Sequence, residues 1–303
     1  MLNFLSYTKD LTYCVIFFII AVNGRDFRRL LSISAVPLER LEVRSQKFAG
    51  GVILKKIIAI TNQKGGVGKT TVALSLISAL HLRRYKVLGV DLDPQGSLGF
   101  SAGLDIENSD TIYDVFKGKK KIDDVITDTE LGDFLPSNIL LSTAELEFNM
   151  PAREFLLRDQ LAKVVDDYDY IIIDTPPALN VLTVNAYVAA EGLIVPMAPE
   201  ILSLLGISQL RDTVDTVRRY YNPNLEVMGI LLNRYNARLV LNREVEDMSQ
   251  EVARKLDTRV FRNKIHAGVA VAEAPAYGES VLTYAPNSKS AQDFEALLDE
   301  MRE

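Results

Sequence analysis

Short runs of apolar residues, each followed by polar or turn-forming residues, recur along the chain after residue 55. A run of four to eight residues rich in Ile and Val is typical of a strand buried on both faces of a sheet. We predict such strands within residues 57–60, 85–93, 168–174, 192–200 and 225–238. Between the first two, Val72, Leu74, Ile77, Leu80 and Leu82 recur at helical spacing and predict a helix that begins between residues 68 and 71.

Strands that alternate with helices predict an α/β fold with a doubly wound, mostly parallel sheet flanked by helices. A chain of 303 residues is long enough to form one large domain of this kind with a well-filled core. Its apolar fraction of 48% and charged fraction of 24% are ordinary for a globular protein, so composition leaves the fold prediction unchanged.

The junction between the first strand and the helix carries the sequence K-G-G-V-G-K-T-T at residues 64–71. Glycines let backbone N–H groups turn towards phosphate oxygens, and the start of a helix adds partial positive charge. In such a P-loop Lys69 would reach the β- and γ-phosphates of a nucleotide, and the Thr70 hydroxyl would ligate Mg²⁺. An ordinary glycine turn is the plainer alternative, but Gly-Lys-Thr at this junction favours the P-loop. The predicted phosphate-binding residues are Gly65, Gly66, Val67, Gly68, Lys69, Thr70 and Thr71.

Two later strands end in aspartates. Alternation along the second strand predicts that Asp91 and Asp93 lie on the same side, at the carboxyl end where α/β proteins form ligand sites. Four apolar residues precede Asp174, the Walker B pattern, in which the aspartate holds Mg²⁺ through a water molecule. Most Asp-x-Asp pairs are solvated turn residues, but three strand-end motifs in this order favour one nucleotide site.

Lys64 stands where the standard P-loop pattern has glycine. The string K-G-G-V-G-K-T-T resembles the deviant Walker A motif of the ParA/MinD family of P-loop ATPases. In that family the additional lysine crosses a dimer interface to the partner's nucleotide, so the resemblance implies ATP and Mg²⁺ as cofactors and places Lys64 at the partner's ATP. It also implies that Asp93 positions the attacking water near Mg²⁺. The implied catalytic residues are Lys64, Lys69 and Asp93, and the implied metal ligands are Thr70, Asp93 and Asp174.

The resemblance covers residues 55 to about 301. Residues 262–291 resemble the C-terminal stretch of the family, in which residues 273–275 (E-A-P) would lie near the base and the dimer interface. Asn233, at a predicted strand end, is implied as an adenine contact. The family commonly carries an aromatic pair where this chain reads I-L-S-L at residues 201–204, a departure that concerns base packing and the dimer switch.

The net charge of −6 excludes a chain that is basic throughout, but non-specific DNA binding needs only a local patch. Arg218 lies in a segment, residues 212–224, that resembles the family helix carrying a DNA-contacting arginine. It also lies near a predicted helix C-terminus, where a cation is favoured without any ligand. Acidic residues are interspersed, as on an ordinary solvated surface. The basic residues of this part of the chain are Arg211, Arg218, Arg219, Arg234, Arg238, Arg243, Arg254, Lys255, Arg259, Arg262 and Lys264.

Three classes of function are compatible with the motifs. The first is a ParA/Soj-type partition ATPase, whose ATP-bound homodimer coats double-stranded DNA non-specifically until a centromere-bound ParB-like partner stimulates hydrolysis. The second, a MinD-like membrane-associated positioning ATPase, would need a basic amphipathic C-terminal helix, whereas residues 290–303 are acidic. The third is a metabolic or signalling P-loop enzyme such as a tyrosine kinase, which would carry a tyrosine-rich tail; no tyrosine follows Tyr284. We expect the first, without stable membrane association.

Cys14 is the only cysteine, which excludes a disulfide framework and an iron–sulfur cluster, and favours a cytoplasmic protein. The resemblance to partition ATPases implies that the protein is associated with the nucleoid. The apolar segment at residues 11–22 is shorter than the ~20 residues that span a bilayer, although a signal-peptide core or an anchor has similar character. We expect instead that translation begins near Leu54, because residues 49–51 (A-G-G) can be encoded by a ribosome-binding sequence. The expected division is an extension at residues 1–54 and an ATPase domain at residues 55–303.

Overall fold

The predicted apolar runs form the centre of a mostly parallel sheet in the computed structural model, which describes residues 56–199, 207–236 and 240–302. Within these ranges the sheet has eight strands in the order β3-β4-β2-β5-β1-β6-β7-β8, and only β3 runs antiparallel to its neighbour. The strands are β1 Ile57–Ile60, β2 Val87–Asp91, β3 Thr127–Thr129, β4 Gly132–Leu135, β5 Tyr170–Asp174, β6 Gly192–Met197, β7 Glu226–Tyr235 and β8 Ile265–His266.

Helices cover both faces of this sheet. The described helices are α1 Lys69–Leu82, α2 Ser97–Ser101, α3 Ile112–Phe116, α4 Ala144–Glu147, α5 Leu156–Leu161, α6 Val181–Ala189, α7 Ile207–Tyr220, α8 Val240–Lys255, α9 Val269–Glu273, α10 Val281–Tyr284 and α11 Lys289–Met301. Alternate residues of β1 enter opposite cores: Ile57 and Ala59 pack on one side, Ile58 and Ile60 on the other. Every residue of β1 is buried, because a central parallel strand is covered on both faces. The predicted doubly wound fold is confirmed.

The order of the strands places the candidate motifs together. Strand β1 lies between β5 and β6, and Ile60, Asp91 and Asp174 are in register at the carboxyl ends of β1, β2 and β5. The connection from β1 leads to β2 on one side of β1, whereas β6 and β7 lie on the other side. Ligands of open α/β sheets bind at such a switch in strand order, beyond the carboxyl ends of the strands.

Some predictions fall outside the described residues. They are the extension at residues 1–54 with its apolar segment and Cys14, the boundary that follows it, the I-L-S-L sequence at residues 201–204, and Arg238. The side chain of Arg243 also lies outside what the structure describes. In the part of the chain that is described, no helix is both long enough and apolar enough to cross a membrane.

Candidate nucleotide-binding site

The loop between β1 and α1 is fastened to the neighbouring strand β6 at its start. Thr61 donates its backbone N–H to the carbonyl of Ile194 at 3.0 Å, and the Asn62 side chain donates to the carbonyl of Pro196 at 2.7 Å. The Asn62 Oδ1 atom accepts the backbone N–H of Lys64 at 2.9 Å. Because Asn62 is buried and makes both contacts, the path of the chain into the glycine turn is set by β6.

Two glycines of the turn adopt backbone angles that other residues rarely adopt. Gly66 has φ +75° and Gly68 has φ +87°, and Gly68 immediately precedes α1. A Cβ atom on Gly68 would lie 2.2 Å from the Asn233 Nδ2 atom. That Nδ2 atom donates to the carbonyl of Val67 at 2.8 Å, so a residue at the end of β7 supports the turn from below. Asn233 is only 3% exposed, and its predicted adenine contact stays a prediction.

Lys69, Thr70 and Asp174 form the centre of the site. The Thr70 Oγ1 atom donates to the Asp174 Oδ2 atom at 2.6 Å, while the buried Oδ1 atom of Asp174 has no hydrogen-bond partner. Burial raises the pKa of Asp174 to about 7, against the lowering effect of the Thr70 hydroxyl and of Lys69. Burial likewise lowers the pKa of the Lys69 ammonium, and the charges of Asp174 and Asp93 oppose that effect. The centre is therefore a buried cation beside Asp174, one oxygen of which has no partner and could accept a bond from a ligand.

A cleft of about 430 Å³ opens in front of these residues. Its lining includes Gly65, Gly66, Gly68, Lys69, Thr70, Thr71 and Asp93 from the predicted motifs. Lys64 is half-buried and does not line the cleft of its own chain. Pro275, from the stretch predicted near the base, does line it, and so brings the C-terminal part of the chain to the glycine turn.

Asp91 and Asp93 occupy different environments, contrary to the sequence-based expectation. Strand β2 ends at Asp91, so the alternation of a strand does not continue to Asp93. Asp91 is 1% exposed, and its carboxylate accepts the backbone N–H groups of Asp93, Leu98 and Gly99. Asp93 instead lines the cleft. Burial and the nearby Asp174 raise the pKa of Asp91 well above its usual range.

Several lining residues carry no motif in the sequence. Ser75 lies on α1, Ser101 on α2, and Val271 and Glu279 come from the C-terminal part of the chain. A buried hydrogen bond of 2.7 Å from Ser280 Oγ to Ser78 Oγ joins that part to α1. No local signal identifies these residues, because their shared position depends on contacts between segments about 200 residues apart.

Arg218 lies at the other end of the sheet. It occupies the last turn of α7, and its Nε atom donates to the carbonyl of Leu225 at 2.7 Å, just before β7 begins. Because β7 runs parallel to β6, which runs parallel to β1, the start of β7 is at the amino ends of the strands, opposite the glycine turn at their carboxyl ends. The sequence motifs thus divide between the two ends of the parallel strands.

The fold and the cleft define a P-loop nucleotide-binding protein with a deviant Walker A turn. Residues 55–227 match the family model described as an AAA domain. The chain is 38% identical to the chromosome partitioning protein ParA of Myxococcus xanthus over 252 residues, which cover 82% of this chain and 88% of that protein. It is 39% identical to the sporulation initiation inhibitor protein Soj of Bacillus subtilis, across 81% of this chain and 98% of Soj. The chain belongs to the ParA/Soj-type P-loop ATPases, a family of partition and positioning ATPases, as the resemblance predicted.

Solved structures agree with this assignment. The cobyrinic acid a,c-diamide synthase of Mycobacterium smegmatis, solved with bound ADP and magnesium, superposes with a TM-score of 0.71 at 34% identity, over 80% of this chain and 92% of that one. The cell division ATPase MinD of Pyrococcus furiosus superposes with a TM-score of 0.65 at 28% identity, over 81% of this chain and 98% of MinD. The mostly parallel sheet with flanking helices is common to these nucleotide-binding proteins.

Proposed function

We propose that this chain is an ATP-dependent partition ATPase that uses Mg²⁺ and hydrolyses ATP to ADP and phosphate. In this proposal ATP drives formation of a sandwich homodimer, the dimer binds double-stranded DNA without sequence preference, and a ParB-like centromere-binding protein stimulates hydrolysis. Residues 55–303 form the ATPase domain, and the protein is cytoplasmic, associated with the nucleoid and not stably bound to membrane.

The arrangement of Thr70 and Asp174 is the observation that carries the proposal. A buried carboxylate oxygen without a partner is costly, and it fits a site completed by a hydrated Mg²⁺. The hydroxyl of Thr70, 2.6 Å from the other oxygen of Asp174, would be the direct protein ligand of that ion. The glycine turn and Lys69 would hold the phosphates, and Asp93 would orient the attacking water. When bound, Mg²⁺ would neutralise charge that develops on the transferred phosphoryl group.

The position of Lys64 supports the proposed dimer. Lys69 is 7% exposed and lies within the cleft, whereas Lys64 is half-buried outside that lining. A cation that completes a site only from a second subunit would make hydrolysis depend on dimerisation, because positive charge is then added where the transition state needs it.

Basic residues at the ends of the two helices that precede β7 and β8 support the proposed contact with DNA. Arg218 and Arg219 end α7, and Arg254 and Lys255 end α8; both helices precede strands that run parallel in the sheet. Arg219 and Arg254 are exposed, whereas Lys255 forms an exposed ion pair with Glu251 at 3.6 Å. Such a surface suits phosphates spaced along a duplex, because exposed cations bind the backbone whatever its base sequence.

The C-terminal helix does not favour a MinD-like attachment to membrane. The apolar side of α11, with Phe294, Leu297 and Leu298, is buried in the core shared with α1. Arg83, which follows α1, forms ion pairs with Glu295 at 2.6 Å and Asp299 at 2.5 Å. The helix thus uses its apolar side within the protein and presents acidic residues outside.

A second candidate is an ATP-dependent synthase, because the Mycobacterium smegmatis relative carries that name. The nucleotide cleft is compatible with both functions, so the distinction must come from the second substrate. The test measures ATP hydrolysis with duplex DNA, with a ParB-like protein plus DNA, and with cobyrinic acid plus a nitrogen donor for amide formation, such as ammonium or glutamine. We expect stimulation by DNA plus the ParB-like protein; stimulation by cobyrinic acid and the nitrogen donor, without DNA, would replace the partition proposal with the synthase.

A further inference from the structure

From the hydrogen bonds of Asp91 we infer that this residue positions the loop that carries Asp93, and so controls turnover without touching the nucleotide. Strand β2 ends at Asp91, and α2 begins at Ser97, so the two elements are joined by residues 92–96. Asp93 lies in this short loop and lines the cleft. The inference rests on the proposed ATPase function and adds a residue that acts through Asp93.

Both oxygens of the Asp91 carboxylate are used by this loop and by the helix after it. The Oδ1 atom accepts the N–H of Asp93 at 2.9 Å, and the Oδ2 atom accepts the N–H groups of Leu98 and Gly99 at 2.9 and 3.2 Å. Leu98 and Gly99 are in the first turn of α2, where backbone N–H groups have no partner within the helix. The Gly96 residue that precedes α2 has φ +65° and supplies no side-chain cap. Asp91 therefore caps α2 from the adjacent strand.

The Asp91 carboxylate thus holds the start of the loop, at Asp93, and the start of the helix that follows the loop, at Leu98 and Gly99. Asp91 is in register with Asp174 on β5, so the anchor of the Asp93 loop and the proposed magnesium-binding carboxylate are held by neighbouring strands. A second bond within the loop, from the backbone N–H of Gln95 to Asp93 Oδ1 at 3.0 Å, orients the Asp93 side chain. The positions of Asp93 and Asp174 are thus fixed relative to each other through β2 and β5, as a water-positioning group and a metal site require.

The test substitutes Asp91→Asn, which keeps size and shape but replaces one accepting oxygen with a donating NH₂ group. At least one of the three backbone N–H groups that Asp91 accepts, those of Asp93, Leu98 and Gly99, then faces a donor. We expect kcat for ATP hydrolysis to fall about tenfold or more, with the dissociation constant of Mg-ATP changed less than about threefold. In an Asp93→Ala background the same substitution should cause no further loss, because it acts through the group already removed.

A matched control is available at Glu300, another buried carboxylate that holds backbone. It accepts the N–H groups of Arg262 and Asn263 at 2.7 and 2.9 Å, away from the cleft. Glu300→Gln should lower the melting temperature as Asp91→Asn does and leave kcat unchanged. An Asp91→Asn protein with wild-type kcat, or with equal losses in both backgrounds, would overturn the inference. A wild-type protein without ATPase activity would instead contradict the proposed function.

If Asp91→Asn does not yield folded protein, amide hydrogen exchange of the wild type replaces it. The amides of Asp93, Leu98 and Gly99 should then exchange as slowly as those of β2, whereas the Gln95 amide, whose bond to Asp93 Oδ1 is exposed to solvent, should exchange faster. Rapid exchange at all three would show that the Asp91 contacts do not hold the loop in solution.

Discussion

Charged residues at the two ends of the parallel strands lie in different environments. At the carboxyl end, Lys69 and Asp174 are almost fully buried, and four chain segments converge on one cleft. At the amino end of β7, Arg218 is half-exposed, and neighbouring charges are spread over two helix termini. Enclosed charges interact strongly, since little water screens them, whereas exposed charges act weakly and in number. Single substitutions should therefore have large effects on binding or turnover in the cleft and small effects on binding at the basic helix ends.

The substitution Lys69→Ala should have the largest effect. Its ammonium is the buried cation of the cleft, and its loss leaves the phosphates without their main side-chain partner. We expect affinity for a fluorescent ATP analogue to fall roughly 100-fold or more. Lys163→Ala, which removes an exposed lysine whose ammonium donates to Gln160, is the control and should bind normally. Wild-type affinity in Lys69→Ala would refute the P-loop assignment.

The substitution Lys64→Ala should preserve ATP binding by the monomer but abolish both the closed dimer and hydrolysis. Two triphosphates brought face to face repel each other, and a lysine from each partner offsets that repulsion. A cation supplied in trans is worth about 1,000-fold or more in turnover. Light scattering with ATP would report the dimer, and a phosphate-release assay the rate. Full hydrolysis by this variant would show that Lys64 is an ordinary loop residue.

A mixture of two inactive variants tests whether Lys64 acts on the nucleotide of the partner subunit. Lys64→Ala should hold ATP but donate no lysine, whereas Lys69→Ala should donate Lys64 but hold no ATP. One composite site of the mixed dimer would contain both ATP and the trans lysine, so we expect measurable turnover to reappear if a dimer with one nucleotide can close.

The substitution Asp93→Ala should affect turnover only. Its carboxylate lines the cleft, and in the proposed mechanism it acts on water rather than on the bound nucleotide, so binding and dimerisation should persist. We expect hydrolysis to fall by about 100- to 10,000-fold. Size-exclusion chromatography with ATP should show a dimer that no longer dissociates with time. A wild-type rate of phosphate release would reject the role assigned to Asp93.

The substitution Arg218→Glu should produce the smallest effect, a several-fold loss of DNA affinity without loss of the ATP-dependent dimer. Each phosphate contact makes the slope of log affinity against log salt concentration more negative by about one, so wild-type affinity should fall as salt rises. Because the backbone is the same in every duplex, the affinity should also be similar for unrelated sequences. Arg211→Glu is the control: it lies on the same helix, carries the same charge change, and is ion-paired with Asp215 at 3.5 Å. Equal effects of the two substitutions, or a strong preference for one sequence, would contradict the proposed surface.

The main strands were predictable because burial on both faces of a parallel sheet requires continuous apolar runs. The predicted segments contain β1, β2, β5, β6 and β7. The hairpin of β3 and β4 was not predicted, since its strands are short and β3 is largely exposed. Strand β8 has only two residues and pairs with the end of β7. Short edge strands depend on pairing with a neighbour and leave little pattern in the sequence.

The glycine turn and its cation were predictable from adjacent residues, because a strand, a turn that needs positive φ angles and a helix start follow one another along the chain. Three other features follow only from the packing of the folded chain: Asp91 holds the Asp93 loop, Asn233 supports the turn, and Ser280 joins the C-terminal part to α1. Each of these is a polar contact made by the packing of separate segments. Backbone preferences act over a few residues, whereas such contacts exist only after strand order brings distant residues within about 3 Å of each other.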